Sequence, residues 1–225
     1  MTMPTPTYLD LAGWPRRDAF EYFRGFDKPY FNVCTRLDVA RLKQAVADTR
    51  RGGLALAYHF IALRLANRIE PFRYRLDGGR VRVHGVVNGS TTVLREDGSF
   101  GFAYLDHHPD FATFAAEGAA TMAAAREGLV PFEPRLDDSA VIHCTTLPWV
   151  HFSSFSHARN WGREDSVPKL AFGRIDVDGA RAWLPLSVEV HHALMDGLHV
   201  GQFFQGFEAA LREPQAWLGA PAASA

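Results

Sequence analysis

One stretch near the C-terminus, SVEVHHALMDGLHVGQFF at residues 187–204, constrains the fold more than any other part of the chain. Apolar and polar residues alternate up to two adjacent histidines, which is typical of a β-strand. Asp196 and Gly197 follow, and an apolar stripe with helical spacing then begins. A strand must therefore turn into a helix within a few residues. Glycine permits the tight backbone that this turn needs, and aspartate can cap the helix or form an ion pair.

The period of the strand separates the two histidines. Successive strand residues point to opposite faces, so His192 shares a face with Val188 and Val190. His191 shares the other, more polar face with Glu189. An imidazole on an apolar face is partly desolvated, which disfavours its cation and keeps it neutral at about pH 7, as a general base requires. The pattern predicts His192 as the candidate base, although a histidine at a strand end more often has a structural role.

A metal site is another explanation of paired histidines, with Asp196 as a third ligand. Adjacent strand residues point to opposite faces, however, so His191 and His192 are poorly placed to bind one ion. Cys34 and Cys144 form neither a metal-ligand pattern nor a disulfide framework. The sequence therefore predicts no metal and two reduced thiols.

Charge and hydropathy exclude several classes of protein. The formal net charge is −1, from 24 Lys and Arg against 25 Asp and Glu. This balance offers no electrostatic footprint for nucleic acid or an acidic membrane. No apolar stretch approaches the roughly 20 residues that cross a bilayer, and the N-terminus does not resemble a signal peptide. We expect a cytoplasmic protein with one domain at residues 1–218 and a flexible tail at 219–225.

Strand and helix patterns alternate irregularly along the chain. Helices are predicted at residues 15–25, after Asp38, at 54–69, at 110–126 and at 198–211. Strands are predicted at residues 29–38, on both sides of 77–79 and of 95–99, at 139–152, at 169–177 and at 181–192. This order indicates an α+β fold in which helices cover one face of a mixed sheet.

The residues His191-His192-Ala-Leu-Met-Asp196-Gly197 match the HHxxxDG signature of CoA-dependent acyltransferases. Within that group the chain most closely resembles the chloramphenicol acetyltransferase family. The similarity extends, in the family's order, to WPRRDAFEYFR, FRYRLDGGRVRV, LPWVHFSSF and LPLSVEVHHALMDGLHVGQFF. The resemblance covers nearly the whole chain and implies the chloramphenicol-acetyltransferase-like fold. It also implies an acetyl-CoA-dependent O-acetyltransferase that inactivates chloramphenicol.

The resemblance implies roles for individual residues. The family's general base is the second histidine of the signature, here His192, and it assists direct transfer in a ternary complex. Asp196 matches the aspartate that pairs with an N-terminal arginine, here Arg16, and supports the site. Thr145 stands where the family places a serine hydroxyl that stabilises the oxyanion. A β-branched residue also suits a strand for packing reasons alone.

Other positions concern the two substrates and one departure from the family. Arg174 matches a family lysine near the CoA tunnel, although a solvated charge on a strand explains it equally well. Ala171 replaces a threonine that holds a water in well-known members, which is expected to weaken catalysis and chloramphenicol turnover. The candidate walls of the acceptor pocket, each also compatible with an ordinary core, are Phe23, Phe31, Val33, Phe100 and Phe132.

The resemblance finally implies the assembly and the partners. Family members are homotrimers with active sites between subunits. Acetyl-CoA is a co-substrate, no cofactor is tightly bound, and the acceptor is a small molecule. Two alternatives remain open: an acyltransferase for another small hydroxyl acceptor with poor chloramphenicol activity, and a non-catalytic CoA-binding homologue.

Overall fold

The computed structural model describes residues 6–132, 139–160 and 164–219. The predicted tail at 219–225 lies outside these residues except for Gly219. The strands are β1 (Thr7–Tyr8), β2 (Tyr30–Asp38), β3 (Tyr74–Asp77), β4 (Arg80–Val83), β5 (Asn88–Leu94), β6 (Phe100–Leu105), β7 (Val141–Thr146), β8 (Lys169–Phe172), β9 (Asp176–Asp178) and β10 (Arg181–His191). The helices are α1 (Arg17–Phe23), α2 (Ala40–Thr49), α3 (Leu54–Arg68), α4 (Phe111–Arg126), α5 (Gly197–Arg212) and α6 (Gln215–Leu218), with a 3₁₀ helix at Glu70–Arg73.

The main sheet is mixed and positions the C-terminal strand near one edge. Its order is β2-β10-β8-β7-β5-β6, and the short β9 also pairs with β10. β10 runs antiparallel to β2 and β8, whereas β7 runs parallel to β8 and β5. A three-stranded sheet, β1-β4-β3, contains the hairpin predicted around residues 77–79. The observed architecture confirms the predicted α+β fold with a mixed sheet.

Helices α2, α3, α4 and α5 contribute to one apolar core with the strands. Ile61 of α3 and Phe207 of α5 pack into this core with Leu170 of β8 and Val188 of β10, and all four are fully buried. Helix α1 belongs to a smaller cluster, which includes Ala193 and Leu194 of the turn after β10. No helix among residues 6–132, 139–160 and 164–219 is long and apolar enough to span a membrane.

β10 is buried on both faces, which its alternating sequence does not reveal. Its apolar residues face the helices, but Ser187 is 0% exposed and Glu189 is 4% exposed on the other face. Residues 157–159 cover that second face, since the backbone N–H of His157 and Nε of Arg159 donate to Glu189. The more polar face of β10 is therefore a buried polar layer. His192 lies in the turn one residue beyond the end of the strand.

Replacing Phe207 with alanine should lower the free energy of unfolding by about 3–5 kcal/mol, because the ring is fully buried between α5 and the core. Gln205→Ala is the matched control, since Gln205 is exposed on the same helix and should change stability by less than about 0.5 kcal/mol. Chemical denaturation of both variants measures the difference. Equal stabilities for the two variants would contradict the packing of α5.

Candidate active site

The imidazole of His192 lies between two phenylalanine rings. It stacks on Phe23 with ring centroids 3.8 Å apart and an interplanar angle of 7°. Phe31 is tilted against it at 4.8 Å. The His192 backbone N–H donates to the carbonyl of Pro29 at 2.6 Å, which fixes the chain just after β10. The structure thus places two of the predicted acceptor-pocket residues directly against the candidate base.

The two ring nitrogens of His192 have different surroundings. The residue as a whole is half-buried. Its Nδ1 atom is buried and has no hydrogen-bond partner among the described residues. Nε2 is therefore the ring nitrogen available to a ligand. A ring held by aromatic packing, with one accessible nitrogen, can accept a hydrogen bond from a ligand hydroxyl.

Arg16 holds the turn that follows His192. Its Nε atom donates to Oδ2 of Asp196 at 2.8 Å. Its two terminal nitrogens donate to the backbone carbonyls of Ala193, at 3.1 Å, and His192, at 3.0 Å. A guanidinium that binds one carboxylate and two carbonyls restricts the backbone on both sides of the turn. The position of the His192 ring therefore depends on a side chain 176 residues earlier in the sequence.

Asp196 also joins the turn to helix α5. Burial alone would raise the pKa of its carboxyl, but the hydrogen bond and charge of Arg16 hold that pKa below its ordinary value. The backbone N–H of Asp196 donates to Nδ1 of His199 at 3.1 Å, within the first turn of α5. Sequence reasoning missed His199, although its position three residues after the aspartate is that of a capping-box partner.

Other predicted site residues lie at a separate cavity of about 580 Å³. Thr145 of β7 and Phe132 line it, and Phe100 packs near Phe132 with ring centroids 5.5 Å apart. His192 does not line this cavity. The lining residues are Ser90, Phe102, Tyr104, Phe132, His143, Thr145, Phe155, Ser156, His157, Ala158 and Lys169.

A row of five polar residues, one from each of five neighbouring strands, crosses the sheet. Three of these residues line the cavity. Ser90 of β5 is the register partner of His143 of β7, and His143 is the partner of Lys169 of β8. The row continues through Glu189 of β10 to Asn32 of β2. Register partners on neighbouring strands point to the same face of a sheet. A polar face of the sheet thus forms part of the cavity wall.

The adjacent row of register partners contains Thr145, the candidate oxyanion donor, and Ala171, the predicted departure from the family pattern. Thr145 of β7 is the register partner of Ala171 of β8, and Ala171 is the partner of Ser187 of β10. Ala171 is fully buried. Ala171, the predicted departure from the family pattern, is therefore the immediate neighbour of Thr145 across the sheet.

Four buried ions form a network, in which Lys169 and Glu189 belong to the polar row and Arg159 and Asp165 belong to the segment that covers it. Nζ of Lys169 donates to Oδ2 of Asp165 and to the carbonyl of Ala158, both at 2.8 Å. Arg159 binds Glu189 at 2.7 Å and Asp165 at 3.2 Å. None of the four charged side chains is more than 13% exposed. Burial alone would raise the pKa of Asp165, but Lys169 and Arg159 lower it, so the carboxylate is ionised.

The histidines of the cavity are neutral. Burial, reinforced by the charge of Lys169, lowers the pKa of His143 to about 4. Burial also lowers the pKa of His157 to about 4. Sequence reasoning missed both residues. A signal for His143 existed, since it precedes Thr145 by two residues and so shares its face of β7.

Two further predicted residues lie elsewhere. Val33 is 37% exposed on β2, which forms one edge of the main sheet. Arg174 is exposed, and its guanidinium donates to Asp176 at 2.9 Å and to the carbonyl of Trp149 at 3.3 Å. Its guanidinium therefore already has two partners within the chain.

Comparison with known proteins decides the family. Residues 5–208 match the family model described as chloramphenicol acetyltransferase. The chain belongs to the chloramphenicol acetyltransferase family. A chloramphenicol acetyltransferase of Streptomyces acrimycini is 31% identical over 96% of this chain and 98% of its own length. Chloramphenicol acetyltransferase 2 of Haemophilus influenzae is 27% identical over 88% of this chain and 92% of its own length.

Solved structures confirm the chloramphenicol-acetyltransferase-like fold. One chloramphenicol acetyltransferase superposes with a TM-score of 0.80 at 24% identity, covering 92% of this chain and 100% of its own. The dihydrolipoamide acetyltransferase of Azotobacter vinelandii superposes with a TM-score of 0.67 at 15% identity, covering 97% of this chain and 93% of its own. At these identities the likeness concerns the fold.

Arg16→Ala should lower the free energy of unfolding by roughly 1–3 kcal/mol, because it removes three hydrogen bonds from the turn at residues 192–196. Arg17→Ala is the matched control, since Arg17 is the exposed neighbour. Because the pKa of Asp196 is depressed, the stability it confers is present above the ordinary aspartate value of 3.8 and is lost as pH falls further.

Denaturation at a series of pH values measures both the loss of stability in Arg16→Ala and its dependence on pH. The gap between wild type and Arg16→Ala should narrow below about pH 4. A gap that is the same at acid and neutral pH, or an equal loss in Arg17→Ala, would show that the ion pair does not hold the turn.

Proposed function

We propose that the protein acetylates a hydroxyl group of chloramphenicol with acetyl-CoA as co-substrate and so inactivates the antibiotic. Membership of the family supports this reaction and this acceptor. The observation that carries the proposal is the His192 ring, which is stacked on Phe23, held by the Arg16 clamp and open through one nitrogen. A non-catalytic homologue has no need of such a positioned imidazole.

His192 is the general base in this proposal. Its Nε2 atom takes the proton of the acceptor hydroxyl while the hydroxyl oxygen forms a bond to the thioester carbonyl carbon. The oxyanion of the tetrahedral intermediate accepts a hydrogen bond from the hydroxyl of Thr145. The intermediate collapses, the carbon–sulfur bond breaks, and the CoA thiolate takes the proton from His192. Transfer is direct, in a ternary complex, with no acyl-enzyme.

In this proposal the site is completed by two copies of the chain. Thr145 lines the cavity of about 580 Å³, and His192 does not. We propose a homotrimer in which His192 of one copy reaches the cavity of its neighbour. Exposed apolar side chains support such an interface, among them Phe132 in the cavity wall and Leu198, which is 66% exposed two residues after Asp196.

The remaining predicted residues have lesser roles. Phe23 and Phe31 keep water away from the His192 ring on which they pack. Phe100 and Phe132 form an apolar wall for the acceptor, and Val33 belongs to the exposed edge strand β2. Arg174 binds a phosphate of CoA in this proposal. Its guanidinium then donates hydrogen bonds both to that phosphate and to Asp176.

His192→Ala should lower kcat for chloramphenicol acetylation by about 10²–10⁴-fold, the usual contribution of a general base. Release of the CoA thiol from acetyl-CoA measures the rate. His108→Ala is the control, because this half-buried histidine precedes α4 and does not line the cavity. An unchanged rate in His192→Ala would remove the proposed base, whatever the fold.

Mixed assemblies test whether the site is shared. His192→Ala and Thr145→Ala chains should each be weakly active alone, whereas a co-expressed mixture should recover activity. Each proposed site takes His192 from one chain and Thr145 from the neighbouring chain. Random assembly of an equal mixture would therefore leave both residues intact in roughly a quarter of the sites. The control mixes His192→Ala with a chain that carries both substitutions. Equal, low activity in both mixtures would place both residues within one chain.

A further inference from the structure

The cavity that Thr145 lines has an aromatic part and a polar part. The rings of Phe102 and Phe132 lie in its wall with centroids 4.8 Å apart, and Phe155 also contributes. The polar part comes from Ser90, His143 and Lys169, which are register partners on three neighbouring strands. Flat apolar surfaces pack well against phenylalanine rings. A ligand that fills the cavity therefore meets two different chemistries.

The polar part has hydrogen-bonding capacity that the chain itself does not use. An ammonium has three N–H donors, and Nζ of Lys169 gives one to Asp165 and one to the carbonyl of Ala158. Neither ring nitrogen of His143 makes a hydrogen bond with any residue in the described part of the chain. A neutral imidazole offers one donor and one acceptor. The wall thus presents at least two donors and one acceptor to a ligand.

These groups penalise an apolar ligand. A ligand that displaces water from the cavity without replacing its hydrogen bonds leaves each buried polar group unsatisfied, at a cost of about 1–3 kcal/mol per group. A ligand hydroxyl can accept from Lys169 or from His143 and can also donate to the free imidazole nitrogen. Hydroxyl groups therefore match this wall better than hydrocarbon does.

The ion network around Lys169 favours a neutral ligand. Lys169 is balanced by Asp165, and Arg159 is balanced by Glu189, so the four buried ions have no net charge. An anion would be attracted by the Lys169 ammonium, but the Asp165 carboxylate lies only 2.8 Å from that ammonium and would repel it. A cation would be repelled by the Lys169 ammonium, which lines the cavity.

We infer that the acceptor site is built for neutral, hydroxyl-rich alcohols with one flat apolar face, the chemistry of an aryl glycoside or a similar polyol. This inference rests on the proposed function, because it names the acceptor class of the same site. Chloramphenicol, a neutral diol with an aromatic ring, falls within the class. Lys169 and His143 are then specificity-determining residues.

A matched pair of acceptors tests the inference. 4-Nitrophenyl β-glucoside and 4-nitrobenzyl alcohol share a nitrophenyl ring and a primary hydroxyl, but only the glucoside has further hydroxyls. Wild type should use the glucoside with a kcat/KM at least tenfold higher. His143→Phe should lower the glucoside-to-alcohol ratio at least tenfold, because it replaces the polar ring with an apolar one of similar shape.

Two more variants complete the design. Lys169→Met with Asp165→Asn removes the ammonium without leaving its carboxylate unpaired, and should lower the same ratio. His108→Phe, outside the cavity, should leave the ratio unchanged. A wild-type preference for 4-nitrobenzyl alcohol, or an unchanged ratio in His143→Phe, would overturn the inference. Chloramphenicol turnover in the same assay would leave the proposed function standing in that case, and no thiol release with any of the three acceptors would overturn both.

Discussion

The pairing of β10 between β2 and β8 is the constraint on which the rest of the structure depends. Its register places Leu186 and Val188 in the helical core and Ser187 and Glu189 in the polar layer on the other face. A shift by one residue would exchange these two sets and bury both on the wrong side. The same register determines where the strand ends, and therefore where the His192 ring is presented. One strand thus specifies both the core and the candidate site.

Buried charge is the main cost of this arrangement. Removing Arg159, Asp165, Lys169 and Glu189 from water is unfavourable, and their mutual pairing offsets that cost without making the network a strong source of stability. The network instead positions the segment after β7. Arg159 and Asp165 belong to the segment after β7, and Glu189 belongs to β10, so the ion pairs hold that segment over the polar face of the sheet. The cavity exists because this segment is held there.

Much of the fold follows from the sequence, but the polar layer does not. Local signals are enough for helices α1–α5, the hairpin at residues 77–79 and most strands, because each depends on periodicity or turn chemistry within a few residues. The strand predicted at 139–152 is too long, since β7 ends at Thr146, and the one predicted at 169–177 is interrupted between β8 and β9. The contact of Arg16 with the turn after His192 joins residues 176 positions apart, and only the family resemblance brought the two together. The row from Ser90 to Glu189 depends on the spatial order of strands, which no local pattern encodes. Alternation assigns His191 to the more polar side, but His191 ends the strand and is only 4% exposed, and His192 lies in the turn beyond it. Alternation also cannot show that both faces of β10 are covered.

A site divided between two copies of a chain has a physical consequence for both halves. In the proposed homotrimer, the His192 ring is positioned by contacts within its own chain, to Phe23, Phe31 and Arg16. The cavity is likewise completed by its own polar layer and ion network. Each half is therefore held by contacts within its own chain, which lowers the ordering cost of the proposed association. In the proposed homotrimer, the candidate base and the candidate oxyanion donor come from different chains, and the alignment of the interface sets the distance between them.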